Sequence, residues 1–378
     1  MKKVLLVATV GGFVPQFELN DVKILQNMGY EVHYCANFKR MVYDVDTEVF
    51  KKHDIKLHQI DIFGSPKRLY ANIKAFLQLK KIIREEKFDL IHCHTPMGSA
   101  LARMAAAGTK CRIIYTCHGF HFGKDMSFVN WLFYIPERIL ARITDCIVTI
   151  NEEDYERANH FRLKKDGFVA KIPSVGLDLQ KYYPDKDAGM QYRKENNISP
   201  DTFHIVSVGE LNYNKNHISF LKALAKLKEY DFFYTICGNG ANMQYLINVA
   251  QELGLDERVK LIGFEKNVTR VLQSADCFAF PSIREGLGMA AIEALACGVP
   301  VVAADSRGSR EYMISGENGF VCAPTDTSEY AQAIKYMMDN PDKVSELSKH
   351  CRNSVLKFDV KKTAIVMKDV YEKTDKKI

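Results

Sequence analysis

Two glutamates, Glu285 and Glu293, bracket a glycine-rich turn in the second half of the chain. An apolar strand is expected to end near Phe280, and a helix is expected to begin near Gly288 or Met289. The first backbone amides of that helix would face whatever lies over its N-terminus, and they favour an anion. Two carboxylates would repel an anion unless each one binds neutral hydroxyls beside it. A sugar nucleotide offers such hydroxyls on both sides of its diphosphate. Alternatively, one glutamate complements the helix dipole and the other is solvated or capped.

Histidines and glycines in the first half follow further expected strands. The turn Gly11–Phe13 lacks the Gly-x-Gly-x-x-Gly fingerprint of dinucleotide-binding proteins and serves either a ligand or a tight turn. His118 follows a strand, where it can reach a sugar hydroxyl or a phosphate oxygen, or serve the structure alone. The side chains of His92–His94 alternate between strand faces, and no second cluster with metal-ligand spacing follows. We therefore expect no metal site.

Short apolar runs alternate with longer amphipathic stretches, which predicts parallel sheets covered by helices. Six strands are expected before residue 151 and five between residues 204 and 304. The pattern restarts after residues 172–184, which contain prolines and a glycine, so we expect two Rossmann-like domains. The length of 378 residues agrees with two domains, and 47% hydrophobic and 26% charged residues are ordinary for a globular protein.

Cysteine usage and hydropathy indicate a cytoplasmic protein. Ten cysteines are scattered without a Cys-x-x-Cys pair, which fits a reducing compartment better than a disulfide framework. The apolar run after the first lysines lacks a cleavage pattern, so it is interpreted as a buried strand and not as a signal peptide. No apolar run reaches the ~18 residues that a membrane-spanning helix needs.

The net charge of +6 is concentrated in residues 1–184, which carry seven more basic than acidic residues. Within this half, Lys67–Lys87 is a basic amphipathic stretch that suits an anionic membrane surface. One face of this stretch carries an apolar stripe that would also serve a helix packed on its sheet; it is formed by Leu69, Ile73, Phe76, Leu77, Lys80 and Ile83. We favour that second interpretation because every covering helix needs such a stripe. Nucleic acid is not expected as a partner, because the basic residues lack a clustered aromatic platform.

The segment Glu285–Ala303 resembles the signature of the retaining glycosyltransferases of family 4, also called glycosyl transferases group 1. That signature has two glutamates separated by seven residues, then alanines and small residues, then Gly-x-Pro-Val. Val208–Lys215 resembles the family's Val-Gly-Arg-Leu-x-x-x-Lys, with Lys215 at the diphosphate-binding lysine. Glu210 stands at the arginine and reverses its charge, so the role of that arginine is not carried over. Arg284 is a candidate substitute.

The resemblance implies an α/β protein of the GT-B fold, with two Rossmann-like domains whose parallel sheets face a central cleft. Residues 1–175 would bind the acceptor and residues 176–359 the nucleotide sugar, and a C-terminal helix at 360–378 would cross back to the first domain. The implied chemistry retains the anomeric configuration and needs no metal or other cofactor, since helix amides and a lysine neutralise the leaving diphosphate. The acceptor would attack from the front face, and the leaving phosphate oxygen would take its proton.

Family roles transfer to the matching positions of this sequence. His118, Glu285 and Lys215 are the expected catalytic residues. His118 would position the donor sugar and phosphate, Glu285 would hold sugar hydroxyls, and Glu293 would hold the ribose. The expected donor set is Gly12, Gly209, Lys215, Gly238, Phe264, Glu285, Gly286, Leu287, Gly288, Met289 and Glu293; the expected acceptor set is Gly11, Gly12, Phe13 and His94.

The expected reaction moves a hexose or N-acetylhexosamine from a nucleotide-diphosphate sugar to a saccharide acceptor, and UDP is the commonest nucleotide in the family. Family members frequently act in capsule, exopolysaccharide and O-antigen assembly. We therefore expect a polyprenyl-diphosphate-linked acceptor and a peripheral location at the inner face of the plasma membrane. A catalytically impaired scaffold, suggested by Glu210, and a sugar-nucleotide-binding protein remain as alternatives.

Overall fold

Contacts within the chain divide it into two units, each with its own sheet and core. The computed structural model describes residues 1–40, 47–123 and 128–376, so the last two residues of the expected C-terminal helix lie outside the described residues. Unit 1 contains Met1–Gly176 and Val360–Ile378, and unit 2 contains Leu177–Asp359.

Unit 1 is built on a seven-stranded parallel sheet. Its strands are β1 (Lys2–Val10), β2 (Tyr30–Asn37), β3 (Lys56–Gln59), β4 (Leu90–Cys93), β5 (Arg112–Cys117), β6 (Cys146–Thr149) and β7 (Phe168–Lys171), in the order β3-β2-β1-β4-β5-β6-β7. Its helices are α1 (Leu19–Asn27), α2 (Glu48–Lys52), α3 (Leu69–Glu86), α4 (Pro96–Ala106), α5 (Tyr134–Ala141), α6 (Glu152–Asn159) and the C-terminal α14 (Val360–Asp375). The inner strands β4 and β5 are buried along almost their whole length and are mostly apolar, as strands covered by helices on both faces are.

Unit 2 repeats the architecture with six parallel strands. They are β8 (Phe203–Val208), β9 (Phe232–Cys237), β10 (Val259–Gly263), β11 (Cys277–Phe280), β12 (Val301–Ala304) and β13 (Gly319–Cys322), in the order β10-β9-β8-β11-β12-β13. The helices are α7 (Lys186–Glu195), α8 (His217–Leu224), α9 (Met243–Glu252), α10 (Val268–Gln273), α11 (Met289–Ala296), α12 (Thr327–Asp339) and α13 (Pro341–Val355). The two sheets confirm the expected pair of Rossmann-like domains.

The strand order of each sheet reverses at one central pair of strands. In unit 1 that pair is β1 and β4, which Gly11 and His94 follow; in unit 2 it is β8 and β11, which Gly209 and Pro281 follow. Open α/β sheets bind ligands in the crevice at the carboxyl ends of such a pair. The topology therefore brings the sequence-predicted motifs of each unit to the edge where a ligand is expected.

Two strands that the sequence pattern did not predict, β7 and β13, extend the sheets at one edge. Each has four residues, and neither is buried along its whole length. Helices α7 and α13 were also not predicted; both are strongly polar, with burial limited to a few positions each. Apolar periodicity is weak in helices that bury little surface, which explains why α7 and α13 were not predicted, whereas β7 and β13 are short, mostly apolar runs that were missed.

Helix α3 turns only part of the expected apolar stripe to its sheet, where Ile83 is buried and Phe76 packs against the core. The side chains at its inward positions are Asn72, Ala75, Leu79 and Ile83. Leu69, Ile73 and Leu77 are instead 66%, 50% and 59% exposed, so the expectation that they pack on the sheet was wrong.

The reason is the polar residue in the inward row of α3. Asn72 accepts a hydrogen bond from the Phe63 backbone N–H at 2.9 Å and donates one to the Ser65 carbonyl at 3.0 Å. It thereby replaces an apolar contact with two hydrogen bonds to the preceding loop, which apolar periodicity does not register. Among the described residues, no helix combines the length and apolarity needed to cross a bilayer.

The C-terminal helix α14 packs within unit 1, beside α1. The Tyr371 hydroxyl donates to Asp21 Oδ2 at 2.8 Å, and Lys2 Nζ lies 2.7 Å from Asp375 Oδ1. The last helix of the chain therefore belongs to the first unit.

Candidate active site

Three glycines lie at the carboxyl ends of neighbouring strands in unit 2. The Gly209 N–H donates to the Cys237 carbonyl at 2.9 Å, and the Gly238 N–H donates to the Gly263 carbonyl at 2.7 Å. A Cβ atom on Gly238 would lie 1.9 Å from the Gly209 carbonyl oxygen, so only glycine allows this approach. The result is a rim of bare backbone at the ends of β8, β9 and β10.

Lys215 follows this rim in the short 3₁₀ turn Tyr213–Lys215. Its Nζ lies 2.5 Å from Glu285 Oε1 and 5.5 Å from the centre of the Phe280 ring. The side chain passes over Gly209, where a Cβ would lie 3.3 Å from Lys215 Cε. The structure therefore unites two of the expected catalytic residues, Lys215 and Glu285, beside an expected donor-site glycine.

The loop that carries Glu285 is fixed by Asn214, a residue that the sequence reasoning did not single out. Its Nδ2 donates to the Arg284 carbonyl at 2.7 Å, and its own carbonyl accepts from the Ile283 N–H at 2.9 Å. The motif Val208–Lys215 contains Asn214 at a variable position, so the pattern gave no signal for this contact.

Helix α11 starts directly after this loop and has no side-chain cap at its N-terminus. Gly288 occupies the cap position at φ +91°, and a Cβ there would lie 2.5 Å from Phe280 Cζ. The Tyr312 hydroxyl would lie 3.0 Å from the same Cβ, is buried, and has no hydrogen-bond partner within the described ranges. Burial raises the pKa of Tyr312, and Glu285 raises it further, so the hydroxyl keeps its proton. A free helix start and a buried donor thus lie together.

Further positive charge surrounds Glu285. Burial lowers the pKa of Arg284, and the nearby positive charge of Arg307 lowers it further, whereas Glu285 opposes the change. Together with Lys215, these groups make the start of α11 favourable for a phosphate-bearing ligand. Glu210 is exposed, and the ion pair that Lys215 makes is with Glu285.

Glu293 lies on the second turn of α11 and is partly buried. Burial raises its pKa to about 7, and a hydrogen bond from Tyr182 and the charge of Lys181 oppose this rise. Near neutral pH its carboxyl group therefore exchanges between accepting and donating hydrogen bonds, both of which suit a hydroxyl ligand. Phe264, beyond the end of β10, is 56% exposed.

Three expected residues of unit 1 cluster beyond β1, β4 and β5. The Phe13 ring centre lies 5.4 Å from that of His94 and 5.2 Å from that of His118. His94 Nδ1 lies 3.3 Å from His118 Nε2. Burial lowers the pKa of both histidines, that of His118 to about 4, so both are neutral at physiological pH.

Behind these histidines lies a buried acidic pair that the sequence reasoning missed. Glu18 Oε1 lies 3.5 Å from His94 Nδ1 and 3.7 Å from His118 Nε2. Burial raises the pKa of Glu18, and raises that of its neighbour Asp21 to about 6. In the sequence, two acids three residues apart near the start of a helix look like ordinary dipole partners. Only the fold reveals their burial.

His92 confirms the expected structural role of a strand-end histidine. Its Nδ1 lies 2.8 Å from the Tyr371 hydroxyl and its Nε2 lies 2.7 Å from Thr116 Oγ1. Both ring nitrogens are satisfied by groups of unit 1.

Comparison with known proteins identifies the family. The family model described as Glycosyl transferases group 1 matches residues 190–354, and the model described as Glycosyltransferase Family 4 matches residues 22–169. The chain is 36% identical to the Bacillus subtilis (strain 168) protein named "Putative glycosyltransferase EpsD", over 98% of this chain and 96% of that protein. The chain belongs to glycosyltransferase family 4. The family expected from the motifs is therefore confirmed, and the protein is a glycosyltransferase.

More distant relatives of this family 4 member agree. An Escherichia coli protein named UDP-Gal:alpha-D-GlcNAc-diphosphoundecaprenol alpha-1,3-galactosyltransferase is 29% identical over 80% of both chains. Sucrose-phosphate synthase of Thermosynechococcus elongatus superposes with a TM-score of 0.83 at 20% identity, covering 100% of both chains. Anabaena Alr3699/HepE, solved in complex with UDP and glucose, gives 0.79 at 18% identity, covering 98% of this chain and 100% of that one. These solved structures establish the GT-B fold.

Proposed function

We propose that this glycosyltransferase moves a hexose or N-acetylhexosamine from a UDP-sugar to a polyprenyl-diphosphate-linked saccharide. The anomeric configuration is retained, and no metal ion takes part. The observation that carries the proposal is the contact between Lys215 and Glu285 at the uncapped start of α11. A cation and free amides suit the diphosphate, and a carboxylate beside them suits the hydroxyls of the sugar.

Unit 2 binds the donor in this proposal. The leaving diphosphate is neutralised by Lys215, Arg284 and the first amides of α11. In other transferases a metal ion neutralises this charge. Glu293 binds the ribose hydroxyls, and the backbone rim at Gly238 admits the nucleotide. Because Lys215 pairs with Glu285, the charge reversal at Glu210 leaves the diphosphate site intact, which favours an active enzyme over a scaffold.

Unit 1 binds the acceptor. His118 and the turn Gly11–Phe13 offer a neutral ring nitrogen and backbone groups to sugar hydroxyls, and the buried His94 supports His118 from behind. His118 keeps about a quarter of its side chain exposed (24%), so it is the histidine of this cluster that can contact a ligand. The acceptor hydroxyl attacks from the face that the diphosphate leaves, and the leaving phosphate oxygen takes its proton.

An exposed apolar surface on unit 1 supports a lipid-linked acceptor and a peripheral location at the cytoplasmic face of the membrane. Besides the α3 residues, the 3₁₀ segment Phe128–Phe133 and helix α5 expose large side chains, and α4 packs between α3 and α5. These side chains are Trp131, Leu132, Phe133, Ile135 and Ile139. Lysines and arginines of 67–87 surround the α3 part, which suits anionic headgroups and a diphosphate. The name of the E. coli relative gives its acceptor as GlcNAc linked to diphosphoundecaprenol, which is a lipid-linked acceptor of this class.

The test is a two-stage experiment on the full chain in EDTA. First, melting is followed against UDP-, GDP- and ADP-sugars; a ligand at a hundred times its Kd stabilises by about 2.7 kcal/mol, a readily measured shift. The stabilising donor is then incubated with a synthetic prenyl-diphosphate-linked GlcNAc, and NMR reads the anomeric configuration of the product. Stabilisation by a UDP-sugar and an α-linked product from an α-linked donor support the proposal. Stabilisation without transfer points to a binding protein, and an inverted product overturns the retaining mechanism.

A further inference from the structure

The cluster of Glu18, His94 and His118 in unit 1 has donor atoms arranged like the ligands of a metal ion. His94 Nδ1, His118 Nε2 and Glu18 Oε1 form a nearly equilateral triangle with sides of 3.3, 3.5 and 3.7 Å. A tetrahedral zinc ion bound at 2.0–2.2 Å holds its ligand atoms about 3.4 Å apart. The spacing of the three atoms therefore matches three corners of a zinc coordination tetrahedron.

Two buried atoms of this cluster lack a partner. Glu18 is 5% exposed and His94 is fully buried, and Glu18 Oε1 and His94 Nε2 make no hydrogen bond within the described part of the chain. In the described ranges, the basic side chains within 4 Å of Glu18 are the two histidines, and burial keeps both of them neutral. A buried carboxylate oxygen without a donor is costly, and a cation among the three atoms would relieve that cost.

We propose that Glu18, His94 and His118 bind a divalent transition-metal ion of the zinc class. Two imidazole nitrogens and one carboxylate oxygen are a ligand set that zinc accepts while it keeps a fourth position open. His118 is partly exposed, so an ion can enter the cluster from solvent on its side.

A layer of hydrogen bonds behind the cluster holds Glu18. Asp21 hydrogen-bonds to Glu18 and accepts from the Tyr371 hydroxyl at 2.8 Å, and that hydroxyl lies 2.8 Å from His92 Nδ1. Such outer contacts orient metal ligands and strengthen their binding. They come from α1, α14 and β4, so the site is supported from three elements of unit 1.

A second cluster in unit 1 is made of His33, His58 and Glu86. It differs from the first cluster in having a lysine beside its carboxylate. There the two histidines hydrogen-bond each other at 2.8 Å, and Glu86 Oε2 lies 2.7 Å from Lys3 Nζ. Its carboxylate is already neutralised by a lysine, so a metal ion would have to displace that charge. We expect no tight zinc binding at this second cluster, and it supplies the matched control.

Zinc binding would remove His118 from contact with the reacting sugars. The ion is therefore expected to inhibit sugar transfer. Such inhibition by a metal ion is not part of the proposed function. The binding itself is independent of that function, whereas the inhibition depends on it. A binding measurement can thus succeed or fail separately from a transfer assay.

The experiment uses the full chain, freed of metal with EDTA and dialysed, and titrates it with zinc chloride against a chromophoric chelator. The variants are Glu18→Gln and His94→Ala, with His58→Ala as the control from the second cluster, and each melting curve verifies folding. All ten cysteines are buried in the folded chain and should contribute little background.

We expect one zinc ion bound by the wild-type chain and by His58→Ala, with Kd raised tenfold or more in Glu18→Gln and His94→Ala. X-ray absorption of the zinc complex should show nitrogen and oxygen ligands near 2.0–2.2 Å without sulfur. Equal affinity in wild type and Glu18→Gln, or no binding at micromolar zinc, would overturn the proposal. If His94→Ala does not fold, Glu18→Gln decides the result, because it preserves the shape of the side chain.

Discussion

Lys215 Nζ lies 2.5 Å from Glu285 Oε1, with the two side chains only 21% and 13% exposed. A partly desolvated pair at an anion site has a consequence for binding. Before the donor arrives, each charge neutralises the other, which avoids leaving either one buried alone. A diphosphate would draw Lys215 toward its own oxygens and release Glu285 for sugar hydroxyls. The contact explains how a carboxylate and an anion can use one small site.

Replacing Lys215 by Met should weaken donor binding without unfolding the chain. A hydrogen bond to a charged group contributes about 1.5–3 kcal/mol, so we expect the Kd for the UDP-sugar to rise about tenfold to a hundredfold. Isothermal titration calorimetry in EDTA measures this change. Lys222→Met, at an exposed lysine of α8, is the matched control and should bind as wild type does. Equal weakening in both variants would attribute the effect to net charge instead of the site.

The Gly238→Ala variant should be strongly destabilised. Its new Cβ would lie 1.9 Å from the Gly209 carbonyl oxygen, and its φ of +144° disfavours a side chain. We expect a loss of about 3 kcal/mol or more, seen as a lowered melting temperature of unit 2. Gly64→Ala provides the comparison, because its Cβ would make only an ordinary 3.6 Å contact with Thr9. A wild-type melting curve for Gly238→Ala would disprove the close backbone approach at the rim.

Changing Leu69, Ile73 and Leu77 together to Ser should reduce membrane binding. These side chains are exposed on α3, so their removal should leave the fold intact while taking away apolar area that would enter a lipid surface. Flotation with vesicles containing anionic lipid should show severalfold less bound variant than wild type, and high salt should weaken wild-type binding further. The control is Ile365→Ser on α14, at a side chain 64% exposed. Undiminished flotation of the triple variant would exclude this surface as the membrane contact.

The sequence predicted the fold through its apolar runs and the donor motifs through spacing. Strands buried on both faces produce apolar runs between amphipathic stretches, whereas the edge strands β7 and β13, which are mostly apolar but only partly buried, were not predicted. Lys215 and Glu285 were found because a loop motif fixes their positions along the chain. Glu18 and Tyr312 were not found, since their burial comes from segments distant in sequence and no local pattern records it. The α3 surface was misassigned for a similar reason, because Asn72 is satisfied by a loop outside the helix.

Glu293 should give unit 2 a pH-dependent stability. Burial raises its folded-state pKa from 4.5 to about 7, so the folded state holds a proton that the unfolded state releases between these values. Stability contributed by this group is therefore fully present below pH 4.5 and falls as the pH rises toward 7, after which the loss is constant.

The Glu293→Gln variant removes this titration and should gain stability relative to wild type as the pH rises. The expected gain between pH 4.5 and 8 is about 1–3 kcal/mol, the lower end reflecting the solvent contact that the side chain retains. Melting temperatures of both proteins, measured across that range, give the difference directly, with Glu252→Gln on α9 as the exposed control. A difference that stays flat with pH, or grows toward acid, would mean that Glu293 is ionised throughout in the folded protein. The carboxyl group would then bind ribose hydroxyls only as an acceptor.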